Sequence, residues 1–201
     1  MRTVTGLFDD YTDASSAVSE LEASGVPSKD ISIVSNDVAG RNSDQSGAAT
    51  GAESGAGVGA VVGGTGGLLT GLGIMAIPGV GPVVAAGWLA ATAVGALAGA
   101  AAGGAAGGII GALTGSGVSE QDANLYAEGV RRGGSLVTAR VDDALVPEAE
   151  AILKRSNWVD PIERRAAYNK EGWTMFDDTL DPYAPDQIEQ ERLRYRRPPT
   201  V

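Results

Sequence analysis

Residues 54–119 run SGAGVGAVVGGTGGLLTGLGIMAIPGVGPVVAAGWLAATAVGALAGAAAGGAAGGIIGALTGSGVS, sixty-six positions without one Lys, Arg, Asp or Glu. Around its first part glycine returns every fourth residue, at Gly51, Gly55, Gly59, Gly63, Gly67 and Gly71. Pro78-Gly79-Val80-Gly81-Pro82 interrupts the pattern, which resumes at Gly95, Gly99, Gly103, Gly107, Gly111 and Gly115. A spacing of four lays a stripe without side chains along one helix face, so two such helices can approach until their backbones nearly touch. Glycine costs about 1 kcal/mol relative to Ala at a helix position, a cost that only close packing offsets. The stretch therefore predicts a glycine-zipper helical hairpin over 51–117, with arms near 51–77 and 82–113. Gly55, Gly59, Gly63, Gly67, Gly71, Gly95, Gly99, Gly103, Gly107 and Gly111 are its helix-packing residues.

The flanks read as α+β. Residues 3–8 alternate as a strand with Val4 and Phe8 on one face, and Ala14, Ala17, Val18 and Leu21 follow at helical spacing up to Gly25. Ile31-Ser-Ile-Val34 gives a second strand, so 1–35 is a strand-helix-strand half, and the polar run 36–50 is a linker. On the far side, Ser119 and Asp122 resemble a capping box for a helix through Ala123, Tyr126, Ala127 and Val130. Arg131-Arg132 suit that helix's negative end and Gly133-Gly134 break it. A strand over 135–141, a helix through Ala149, Ile152 and Leu153, and a brief strand over 159–162 complete a second half, 118–162. Phe8-Asp9-Asp10 is echoed by Val141-Asp142-Asp143. Joining the halves predicts a ferredoxin-like split sheet whose central connection is the long hairpin.

Composition excludes several functional classes. The chain has no Cys, which rules out a disulfide or thiolate site, and no His, so a Ser-His-Asp triad cannot be built from it. A net charge of −10 argues against nucleic acid as a partner. No Lys occurs between Lys29 and Lys154, so none of the glycine runs is a Walker-type phosphate loop. Asp9-Asp10, Asp142-Asp143 and Asp177-Asp178 suggest divalent-metal sites only weakly, since paired acids at helix starts serve more often as caps and solvated surface. No catalytic, cofactor-binding or metal-binding residue is assigned, and the chain reads as non-enzymatic.

The hairpin leaves two functional classes open. Each arm is long enough for a hydrocarbon core of about 30 Å, and the first residues do not read as a signal peptide. One class is thus a membrane-associated structural or protective protein, with the bilayer as partner and its folded halves facing the cytoplasm. The alternative is a soluble, cytoplasmic binding or regulatory module whose hairpins form an oligomer core. Residues 163–201 form a tail, ordered in part, with a short helix from Asp186 to Tyr195. Trp173, Phe176 and Tyr183 in it are candidate anchors for a partner or a neighbouring subunit.

In its ordered combination of segments the chain resembles the bacterial general stress protein family with the heat-induced stress protein (YflT-type) domain. The resemblance is carried by Thr3-Val-Thr-Gly-Leu-Phe-Asp-Asp10, by the helix through Ala17 and Leu21 to Gly25-Val26, and by Asp30-Ile-Ser-Ile-Val-Ser35. It continues through Ile77-Pro-Gly-Val-Gly-Pro-Val83 and Tyr126-Ala-Glu-Gly-Val-Arg-Arg-Gly-Gly134, covering roughly 3–162. It implies a stress-associated, non-enzymatic role, often in membrane proteins, and supplies no site residues.

Overall fold

The structure, a computed structural model, describes residues 1–36, 73–77, 80–89, 92, 108–155 and 157–195. Its strands are β1 (Arg2–Phe8), β2 (Ile31–Asn36), β3 (Gly73–Ile77), β4 (Gly81–Gly87) and β5 (Ser135–Val141). Its α-helices are α1 (Tyr11–Ala23), α2 (Ile109–Gly115), α3 (Glu120–Arg131), α4 (Val146–Arg155), α5 (Pro161–Lys170) and α6 (Pro185–Tyr195). The strands form one open five-stranded sheet in the order β1-β5-β2-β4-β3, every neighbouring pair antiparallel. β5 lies between β1 and β2, pairing Val137 with Gly6 on one side and with Ile33 on the other. β1 and β2 consequently run parallel, connected by α1 across the sheet.

Alternation along the strands divides the core in two. Val4, Phe8, Ile31, Ile33, Val137, Ala139 and Val141 face α1 and α4. Leu7, Val34, Val83, Ala85 and Leu136 face the other way, toward α2 and α3. α3 lies close to β1 because residue 129 is glycine: a Cβ there would stand 2.5 Å from Leu7 Cδ2. Its first turn is capped by Ser119 Oγ, which accepts the Asp122 N–H at 3.1 Å.

The ferredoxin-like sheet interrupted by a helical hairpin is not what forms. Where the first helical arm is expected to end, 73–77 is a strand, and 81–87, the expected start of the second arm, is another. They make a β-hairpin that joins the sheet through β2, with Ile77 opposite Gly81 and Ser35 opposite Val84. The reason lies in local composition. The four-residue glycine period stops at Gly71, and Ile74-Met-Ala-Ile77 and Val83-Val84 flank the sequence Pro-Gly-Val-Gly-Pro, which is hairpin chemistry. Among the described elements the next α-helix is α2, seven residues long. The inserted chain thus supplies two strands to the sheet and α2 to its second face, which makes a mixed α+β architecture with both sheet faces packed.

Of the glycine stripe, Gly111 lies in α2, while Gly55, Gly59, Gly63, Gly67, Gly71, Gly95, Gly99, Gly103 and Gly107 fall outside the described residues. Among the described residues no helix is long and apolar enough to cross a membrane. The expectations of a bilayer partner, of a membrane location, and of self-association through a helical hairpin are corrected accordingly. The brief strand at 159–162 is also replaced. Trp158 makes an isolated antiparallel bridge to Phe8 and the Val159 N–H donates to Leu7 O at 2.9 Å. Asp160-Pro161 then starts α5, Asp160 Oδ1 accepting from the N–H groups of Ile162 and Glu163 at 2.8 and 3.2 Å.

Candidate functional site

The densest polar chemistry in the fold gathers where α3 ends. Glu128 is fully buried one turn before the helix stops. Spacings of three and four bring Arg131 and Arg132 back onto it. Arg131 grips it with two bonds, Nε to Oε2 at 2.9 Å and Nη2 to Oε1 at 2.6 Å, and Arg132 Nε adds a third at 2.6 Å. One carboxylate facing two buried guanidinium groups leaves a positive excess. The C-terminal segment offsets it. Arg132 Nη1 donates to Glu171 Oε2 at 2.7 Å and to Glu191 Oε1 at 3.1 Å, and Arg194 closes the chain by contacting both of those acids. Burial alone would lower the Arg132 pKa; hydrogen bonds to Glu171 and Glu128 outweigh it and hold the guanidinium firmly charged.

Aromatic rings fill the spaces between these charges. The Arg132 guanidinium lies 3.9 Å from the centroid of Tyr168, a fully buried ring whose hydroxyl pKa is pushed upward by burial. Arg164, also buried, holds Asp9 through two bonds of 2.8 Å and stacks on Tyr195 at 3.8 Å. Beside that pair is a cleft of about 440 Å³. The acids at the β1–α1 junction form one wall, Trp158 and Arg164 another, and Arg192 and Tyr195 of α6 close the end.

The cleft's carboxylates are mostly accounted for by the fold. Asp9 pairs with Arg164, Asp10 lies 3.6 Å from Arg192, and Asp160 caps α5. Asp13 differs: burial raises its pKa, the Asn157 hydrogen bond opposes that only in part, and the charges of Asp10 and Asp9 add to the rise. Among the described residues no group of three metal-capable side chains is arranged to hold an ion. The remaining paired acids serve locally, Asp177 accepting from Thr179 and Asp143 lying exposed near the terminal amine.

The three candidate anchors of the tail lie against the chain's own body. Trp173 meets Tyr168 edge-on, centroids 5.8 Å apart at 71°. Phe176 packs on the second core, and its N–H donates to Asn124 Oδ1 at 3.2 Å. Tyr183 covers Arg131 at 4.9 Å and donates its N–H to Arg131 O at 3.2 Å. Sequence reading overlooks Glu128, Arg164, Tyr168, Glu191 and Tyr195. A signal exists for part of this set: Ile188, Glu191, Arg192 and Tyr195 fall at i, i+3, i+4 and i+7, one face of a helix.

No curated protein and no solved structure matches the chain. Residues 3–78 match the model of the heat induced stress protein YflT domain, a span running from β1 through β3. The β1-α1-β2 unit that frames the acidic wall of the cleft therefore lies within the part of the chain that matches the heat induced stress protein YflT domain.

Proposed function

We propose that this chain is a soluble, non-enzymatic module of the stress response that acts by protein contact, self-association included, as a binding or regulatory element. One observation carries the reading. Apolar residues in the described parts of the uncharged stretch are spent on the chain's own core: Val80, Val83, Ala85 and Leu89 in one part, Ile109 and Leu113 in another. A segment designed to face lipid would present such residues outward. Here they cover Leu7, Val34 and Leu136 of the sheet. The YflT domain supports the stress-related role, and the absence of Cys and His from the sequence supports a role without catalysis.

Light scattering of the full chain, purified without detergent over a wide concentration range, tests this. A monodisperse chain whose mass rises reversibly with concentration is the expected result. A chain that needs detergent to stay in solution, or one that stays monomeric throughout, contradicts it.

A further inference from the structure

α6 reads as a bound ligand as much as a part of the fold. It presents Ile188, Glu191, Arg192 and Tyr195 along one face, and each meets a distinct feature of the body. Ile188 settles over Gly133, whose φ of +99° and missing Cβ make the seat. Glu191 accepts from Arg132 at 3.1 Å, Arg192 Nη2 donates to Gly133 O at 3.2 Å, and Tyr195 lies on the Arg164 guanidinium. This is the pattern by which an amphipathic helix is recognised in a groove. Of its eleven residues only Ile188 and Glu191 are buried, and Leu193 on its outer side is 58% exposed. Ion pairs and ring stacking therefore hold α6 more than apolar burial does, and such an element opens without unfolding the core.

The connection to it is anchored at Trp173, Phe176 and Tyr183 and loosest between the last two. Residues 171–184 contain no helix or strand, and within them Asp177, Thr179, Leu180 and Asp181 are exposed. Arg131 Nη1 holds Asp181 O at 2.9 Å, so the looser piece is 177–180, which if straightened reaches about 13 Å at roughly 3.3 Å per residue. We infer that the groove between the end of α3 and α5 exchanges its α6 with that of a second copy of the chain, giving an arm-swapped dimer. This rests on the self-association reading above and names its surface. The second copy is the fitting occupant because its helix repeats every contact, Glu191 to Arg132 and Ile188 to Gly133 included. The closed monomer and the exchanged dimer then differ only in the hinge and in chain concentration.

Arg194→Lys gives a direct test, since Arg194 touches both Glu171 of the body and Glu191 of its own helix. Equal amounts of ¹⁴N and ¹⁵N chains carrying Arg194→Lys are incubated at high concentration, diluted and treated at once with a carbodiimide, which joins the introduced amine to a contacting carboxylate. Exchange predicts that up to half of the links from that amine to Glu171 carry mixed isotopes, while its links to Glu191, formed within one helix, stay single-isotope. Single-isotope Glu171 links at every concentration overturn the exchange. If light scattering still shows assembly, only the exchange falls; a strict monomer removes the self-association reading with it. Deleting residues 178–180 provides an independent readout, because a short hinge hinders closure onto the same chain. It should tighten dimerisation at least a hundredfold, and a monomer with α6 unprotected against hydrogen exchange overturns the inference.

Discussion

A Cβ placed on Gly133 would stand 2.4 Å from Ile188 Cγ2, so the end of α3 and the face of α6 fit only because residue 133 lacks a side chain. Backbone conformation reinforces the requirement, since φ at Gly133 is +99°. Gly133→Ala should cost about 1–3 kcal/mol through strain and displacement of α6. Chemical denaturation measures the loss. The double variant with Ile188→Ala should recover the steric part and retain the backbone part, and full recovery would show that conformation contributes nothing.

Glu128 is the hub of the charge network, and removing its charge leaves Arg131 and Arg132 facing each other. Glu128→Gln should destabilise the fold by about 3–5 kcal/mol, the range for breaking a buried ion pair on one side only. A loss under about 1 kcal/mol in urea denaturation would mean that water reaches these guanidinium groups.

At Glu191 the same reasoning gives a local effect. Glu191→Gln weakens the hold on Arg132 while leaving both cores intact, so amide exchange in 185–195 should accelerate about tenfold, the factor for roughly 1.4 kcal/mol. Protection in β5 should not change. Acceleration in both regions would tie α6 to global unfolding and remove its independence.

Asp13 gives a prediction with a pH signature. Its pKa is raised from the ordinary 3.8, so the folded state holds the proton more tightly than the unfolded chain does. The favourable contribution belongs to the protonated form and is lost as pH rises through the folded-state pKa; at neutral pH the carboxylate is a liability. Asp13→Asn keeps an acceptor for Asn157 and should raise stability by about 0.5 kcal/mol or less at pH 7. The gain should vanish as pH falls toward the ordinary carboxylate range. Equal gain at both pH values would assign the effect to packing.

Local signals make the flanks legible. Val4 and Phe8 alternate, Ala14, Ala17, Val18 and Leu21 repeat at helical spacing, and Ser119 caps where its sequence places it. The inserted stretch misleads because Gly and Ala supply almost no pattern of large side chains, so a regular glycine period outweighs the short apolar runs around Pro78 and Pro82. Val159 to Ile162 reads as strand although the cap chemistry of Asp160-Pro161 favours helix. The charge network is hidden for a different reason. Arg132 meets Glu171 and Glu191 across 39 and 59 residues of chain, and no periodicity links groups so far apart.

The central proposal is that the uncharged stretch, whose described residues Val80, Val83, Leu89, Ile109 and Leu113 lie in a folded core, does not anchor the chain in lipid. Flotation of the detergent-free full chain with phospholipid vesicles tests it most directly. The account predicts that the protein stays at the bottom of the gradient at every vesicle concentration. Protein that floats with the vesicles and stays with them through a carbonate wash would contradict it.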